Sequence, residues 1–303
     1  MERKIAPILP LSKRLNWPFL LFFAATHLLG AAGIYYLLYI KFSWATIDLA
    51  VMLYFLRGFS ITGGYHRYFT HKSFACARPL ETFFILFGAS AWQHSILVWC
   101  SDHERHHNLT DTDKDPYNAK RGFWWSHIGW LLFKGPPLNF TNIPDIVADP
   151  LIRFQHRFYF PLAIGFGFAL PTALALLWSD PIGAFLGAGF TGHTMIYHAS
   201  FSVNSVSHYF GKQPYTLSSA RSGWITALPT LGEGGDHNFH HAFSWDYRAG
   251  GHEWYRIDPT KWMLCFLSYF GLVWNLRRAS PERILRAKEE LFAQRENKTL
   301  VTV

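Results

Sequence analysis

Apolar residues run without an Asp, Glu, Lys or Arg from Trp17 to Ile40, with His27 as the only histidine. That stretch is about 24 residues, and roughly 20 suffice to cross the bilayer core as a helix. After a short turn at Lys41–Phe42, a second apolar run extends from Trp44 to Gly64 and carries Asp48 and Arg57. Charges inside a span face protein or a cavity rather than lipid, but the sequence offers no partner for Arg57. Phe158–Trp178 and Pro181–Val203 are two more runs, split by Ser179-Asp180-Pro181. In each pair the linker is too short for a domain, so each pair reads as a helical hairpin. Pro79–Trp99 is apolar and leads into a polar segment, while Met263–Trp274 is too short to span. Ser280-Pro281-Glu282 opens a charged C-terminal helix, with Ser as N-cap and Pro in the first turn.

This pattern predicts an all-α integral membrane protein, one domain over residues 1–303. Two transmembrane hairpins give four spans at about 17–40, 44–64, 158–178 and 181–203. Residues 65–157 and 204–303 form a water-exposed helical cap. Lys4, Lys13, Arg14 and most loop charges fall on the cap side, so the positive-inside rule makes the cap and both termini cytoplasmic. Composition agrees: half of the 303 residues are hydrophobic and 18% are aromatic. The net charge of +8 suits an anionic membrane face or partner. Nucleic acid fits poorly, because the basic residues are dispersed between long apolar runs. Cys76, Cys100 and Cys265 make no Cys-x-x-Cys pair, which argues against a disulfide framework or a thiolate zinc site. The opening Met-Glu-Arg-Lys lacks a cleavage pattern, so no removable signal peptide is expected.

Histidine changes the picture. Eight of the sixteen stand in three clusters: His66 and His71; His103, His106 and His107; and His237, His240 and His241. Imidazole is a common ligand for transition metals. Positions i, i+3 and i+4 share a helical face, so each triplet can present three rings to one point. His66 and His71 lie about 140° apart on an ideal helix and are expected to straddle a helix end. One such cluster on a polar helix reads as solvated surface; three in one membrane chain point to a site for more than one ion. To share it, the clusters must lie on one membrane face, which makes Pro79–Trp99 interfacial. His103-Glu104-Arg105-His106-His107 also satisfies the zinc protease pattern His-Glu-x-x-His, but that reading leaves two clusters unused. His27, His94, His127, His156, His193, His198 and His252 read as isolated.

The order His66-Arg67-Tyr68-Phe69-Thr70-His71, then Asp102-His103-Glu104-Arg105-His106-His107, then Gly232-Glu233-Gly234-Gly235-Asp236-His237-Asn238-Phe239-His240-His241 resembles the membrane fatty-acyl desaturases, and within them the stearoyl-CoA Δ9 branch. Asp115-Pro116-Tyr117-Asn118, Ser126-His127-Ile128-Gly129-Trp130 and Asn204-Ser205-Val206-Ser207-His208 extend the resemblance over about residues 45–290. It implies a di-iron site with nine ligands, the eight clustered histidines plus His208, and a water held by Asn204. Iron suits the chemistry, since an unactivated methylene needs a strong oxidant and zinc has no redox chemistry. The soluble di-iron bundles use Glu and Glu-x-x-His ligands, a pattern absent here.

The implied reaction takes O2 and two electrons, removes hydrogen from C9 and C10, and leaves a cis double bond and water. The resemblance also implies a separate electron donor, of cytochrome b5 or ferredoxin type. It implies a bent acyl tunnel, with Gln93, Trp99 and Ser200 at the bend and Tyr54 and Gly58 near its closed end. The chain departs from the pattern in the extra residue of Gly234-Gly235-Asp236-His237. It departs again at Lys134, which alone remains of a basic pair associated with the CoA phosphates. Acyl-CoA, acyl-lipid and acyl carrier protein all stay open as the substrate carrier. A lipid or alkane hydroxylase, a zinc membrane protease and a non-enzymatic metal carrier are the competing readings.

Overall fold

The computed structural model describes residues 10–301, with the side chains of 298–301 excepted. Lys4, counted above for orientation, lies outside the described residues. The chain is mainly helical. Helix α1 (Trp17–Ile40) and α2 (Trp44–Thr70) form the first hairpin. Helices α3 (Arg78–Ser90) and α4 (Ile96–Leu109) follow, then α5 (Pro150–Arg157). Helix α6 (Tyr159–Trp178) and α7 (181–204) form the second hairpin, and α8 (His237–Ala242), α9 (Pro259–Tyr269) and α10 (Pro281–Val301) complete the chain. Its only sheet among the described residues pairs Ala75–Cys76 antiparallel with Val273–Trp274.

Three helices, α1, α2 and α6, are long and apolar enough to cross a membrane. The fourth expected span forms the unbroken helix α7, which is more polar. Its Thr191 and Thr194 hydroxyls donate to Gly30 O (2.8 Å) and Thr26 O (3.3 Å) of α1. Side-chain hydroxyls thus bind a helix pair that apolar packing alone would leave free to slide.

Pro79–Trp99 is not one helix. It breaks between α3 and α4, where Trp92 and His94 adopt left-handed backbone angles (φ 55° and 71°). The Ser95 hydroxyl then accepts from Val98 N and caps α4, as a serine N-cap does.

The two hairpin turns meet. Asp180, buried, accepts hydrogen bonds from Tyr36 Oη (3.0 Å) of α1 and Thr46 Oγ1 (2.5 Å) of α2. Lys41 Nζ reaches Ser179 O at 2.5 Å. Arg57 acquires a role that the sequence did not offer. Fully buried, it donates to Ala188 O (3.0 Å) of α7 and Gly167 O (2.9 Å) of α6. Both carbonyls sit in stretches wound with i→i+5 hydrogen bonds, where the backbone ladder is disturbed, and a guanidinium with five donors can serve two of them.

The main core lies at the junction of α2, α3, α4 and α9, around Tyr65, Phe84, Ile85, Leu97, Cys100 and Leu264. It supports the segment of α2 that ends in His66 and His71.

Candidate metal centre

All nine histidines named from the sequence converge, as two groups. His66, His71, His103, His107 and His240 form one, and His106, His208, His237 and His241 the other. Within each group the donor atoms lie within 4.8 Å of one another. The triplets therefore do not each serve one point, as the spacing predicted. The i and i+4 rings, His103 with His107 and His237 with His241, share a group, and the i+3 ring goes to the other. An i+4 residue lies about 40° from its partner around the helix and an i+3 residue about 60° to the other side. Two antiparallel sets of rings can thus bracket two points.

His66 and His71 meet for a different reason. Residues Ser60–Thr70 of α2 are wound as a π-helix, and His71 N donates to His66 O at 3.1 Å. In i→i+5 winding, residues five apart stack on one face, so the 140° separation of an ideal α-helix disappears. Their ring centroids are 4.7 Å apart.

The donor geometry fits metal ions. His240 Nε2 lies 3.0 Å from both His66 Nε2 and His107 Nε2. His237 Nε2 lies 3.1 Å from His208 Nε2 and 3.2 Å from His241 Nε2. A neutral imidazole nitrogen has one proton or one lone pair, so it cannot pair with two such neighbours by hydrogen bonding. Two nitrogens ~2.1 Å from one ion and ~90° apart at it stand about 3.0 Å from each other. His106 Nε2 is buried and has no hydrogen-bond partner among the described residues.

Carboxylates and a hydroxyl fix the far side of three rings. Glu233 Oε2 is 2.7 Å from His66 Nδ1, Asp115 Oδ1 is 2.8 Å from His106 Nδ1, and Ser219 Oγ is 2.7 Å from His208 Nδ1. Such partners hold the proton on Nδ1 and aim the Nε2 lone pair inward. Burial, reinforced by neighbouring histidines, pushes His71, His103, His107, His208, His240 and His241 well below the usual imidazole range and takes His237 to about 3. Neutral imidazole is the form that binds metal.

Further polar groups behind the rings are not singled out by the sequence. Arg67, buried, donates to Glu233 Oε1 (2.9 Å), Asp258 Oδ1 (3.0 Å) and Tyr247 O (2.7 Å). Glu233 and Asp115 stand in the motifs already quoted; for Glu233 the signal is an acidic residue inside a histidine-rich motif, whereas the motif of Asp115 holds no histidine. Nothing local marks Asp258. Three histidines read as isolated are linked instead: His198 lies between His27 (Nε2 to Nε2, 2.9 Å) and His127 (Nδ1 to Nε2, 3.0 Å). Glu104 does not join the metal groups; its Oε1 accepts from Asn108 at 3.1 Å on the exposed side of α4. A protease needs that carboxylate beside the metal, so the His-Glu-x-x-His match is incidental. Asp236, His252 and Glu253 form a third cluster, which already faces a cation, Arg256 Nε being 3.2 Å from Glu253.

A largely apolar cavity opens beside the histidines. His66, His103 and His237 line it, as do Gly58, Gln93, Trp99, Ser200 and Asn204 from the expected substrate and water positions. Gln93 Nε2 donates to Ser200 Oγ at 2.8 Å across it, and Trp99 stacks on His103 at 4.8 Å. Tyr54 is not among the lining residues; its hydroxyl donates to Pro229 O, beside the cavity wall. Lys134 is not among the lining residues and is exposed at the surface.

With this geometry in view, residues 42–278 match the fatty acid desaturase family. The chain is 44% identical over 235 residues to a probable acyl-CoA desaturase of Schizosaccharomyces pombe, covering 76% of this chain and 49% of the relative. It is 37% identical over 286 residues to the Delta(9)-fatty-acid desaturase fat-7 of Caenorhabditis elegans, covering 92% and 84%. It is 33% identical over 292 residues to an acyl-CoA Delta(11) desaturase of Choristoneura rosaceana, covering 94% and 87%. The chain spans about half the length of the fungal relatives it matches. The protein belongs to the fatty acid desaturase family.

Proposed function

We propose that this chain is an O2-dependent fatty-acyl desaturase that introduces a cis double bond at Δ9 into a long saturated acyl-CoA. The observation that carries the proposal is the convergence of nine imidazoles, in sets of five and four, on the wall of an apolar cavity. Two iron ions suit these sets, with Asn204 holding a water at the site. When bound, the irons supply the redox chemistry with O2 that zinc lacks.

The residues of the chain do the rest. Glu233 and Asp115 keep protons on the outer nitrogens of His66 and His106. Apolar walls exclude water and bind methylenes, while the Gln93–Ser200 pair and Trp99 shape the chain beside the metal. The joined hairpin turns at 41–43 and 179–180 support a bundle of four spans with both turns at one end and the cap at the cytoplasmic end. A separate donor of cytochrome b5 or ferredoxin type delivers electrons through the cap. Lys134, exposed on the surface, is the cation assigned to a phosphate of the acyl carrier, on the motif resemblance alone. The Δ9 position is chosen over Δ11 on the motif resemblance and the nematode relative.

Expression in cells lacking their own Δ9 desaturase, followed by fatty-acid profiling, tests the proposal. Monounsaturated acids with the bond at Δ9 are expected, from protein carrying about two irons. One zinc per chain, or hydroxylated instead of unsaturated product, would overturn it.

A further inference from the structure

One wall of the cavity is formed by a side chain that no motif marks. Gly58 and His66 both line this cavity and lie on one helix. Eight residues separate them, at most about 12 Å along the axis because Ser60–Thr70 is π-wound and rises less per residue, in the range of the half-chain beyond a central double bond. Over Gly58 sits Leu231, itself a lining residue and 1% exposed. A Cβ on Gly58 would lie 2.5 Å from Leu231 Cδ1 and 3.6 Å from Ile196 Cδ1. The glycine therefore leaves a recess in α2, and Leu231 fills it.

Leu231 is held there against backbone preference. Its φ is 52°, in the left-handed region that non-glycine residues enter only when their surroundings fix them. The fixings are on both sides. Leu231 N donates to Leu228 O at 3.1 Å, and Leu231 O accepts from Thr260 N (3.2 Å) and Thr260 Oγ1 (2.8 Å). Thr260 Oγ1 in turn lies 2.7 Å from Thr62 Oγ1 on α2. Two residues earlier, Pro229 O accepts from Tyr54 on the same helix. The loop is thus tied to α2 before and after the point where Leu231 enters the cavity, and Tyr54 acts as a tether.

We infer that Leu231 is the stop that limits acyl-chain length, a specificity-determining residue that touches the methyl end of the substrate. The inference rests on the desaturase reading of the cavity. Truncating the stop lengthens the distal pocket without moving the metal ligands, so longer chains gain and the bond keeps its count from the carboxyl end.

The test compares wild-type and Leu231→Ala protein, iron-loaded, supplied with saturated acyl-CoAs of graded length. One methylene in an apolar pocket is worth at least roughly tenfold in selectivity, and the ratio of 20-carbon to 18-carbon product is expected to rise by that factor or more. An unchanged ratio in a variant that keeps its iron overturns the assignment. A second readout does not need turnover: thermal stabilisation of both proteins by saturated fatty acids from 14 to 22 carbons. The length that stabilises best should increase in Leu231→Ala, and an identical optimum again overturns the assignment. If wild type shows a length optimum but makes no unsaturated product, the desaturase reading fails while the stop stands.

Discussion

A single imidazole nitrogen, His240 Nε2, with two others 3.0 Å away, is an arrangement that a shared cation would satisfy. The supporting carboxylates divide between the two sets, and this separates their mutants. Glu233→Gln removes the charge facing His66 and Arg67, so it should weaken the five-histidine set. Loss of such an outer partner typically costs 10–100-fold in metal affinity, roughly. Asp115→Asn should act on the four-histidine set in the same way. Iron titration of each variant should show one weakened site and one unchanged; equal weakening of both would count against the division into sets. Protonation gives another measurement. In the unfolded chain the imidazoles titrate near about 6.5, but in the folded protein seven of them are held below that value, His237 at about 3. Below that pH the unfolded chain binds more protons than the folded one, so stability rises with pH. The metal-free protein should therefore melt at progressively lower temperature as pH falls from 7 to 5, and a flat profile would contradict the buried, neutral state of the rings.

Helix α2 does several jobs at the scale of an element. It is long and apolar enough to span, carries Arg57 into the bundle, forms the recess at Gly58 and ends in two candidate ligands. Its apolar run to Gly64 was legible in the sequence, and so was a helix end between His66 and His71, but the helix runs on to Thr70. The π-winding of Ser60–Thr70 was not, because periodicity assumes 3.6 residues per turn and the winding is imposed by tertiary contacts. Gly64 is one of them: a Cβ there would lie 2.6 Å from Phe84 Cβ of α3, so α2 and α3 touch backbone to side chain. Gly64→Ala forces them apart, and overpacking of this kind costs about 1–3 kcal/mol. The variant should melt earlier and, with His66 displaced, retain less iron; a variant with wild-type melting and iron content would show that the contact is slack. The break between α3 and α4 was likewise invisible, since Trp92 and His94 carry no turn signature yet take left-handed angles.

At the scale of the molecule, the candidate ligands were almost wholly readable, because motif spacing is local. Their partition into sets of five and four was not, because it depends on how α2, α4, α8 and the short helix Val206–Tyr209 cross. The orientation of the bundle can be measured directly. Cysteines placed at Phe42 and Ser179, in the joined hairpin turns, should react with a membrane-impermeant thiol reagent from one side of sealed vesicles. A cysteine at Lys134 should react only from the other, and labelling of all three from one side would sink the four-span arrangement. The convergence of distant segments has a consequence for biosynthesis. His66 and His240 are 174 residues apart in the chain, and at ~5–20 residues per second a ribosome needs about 9–35 s to make the interval. Throughout that time His66 and His71 stand without His240, which completes their set. Neither set is complete until residues 237–241 have been made, which makes the preceding interval the period when the protein is most exposed to the wrong metal.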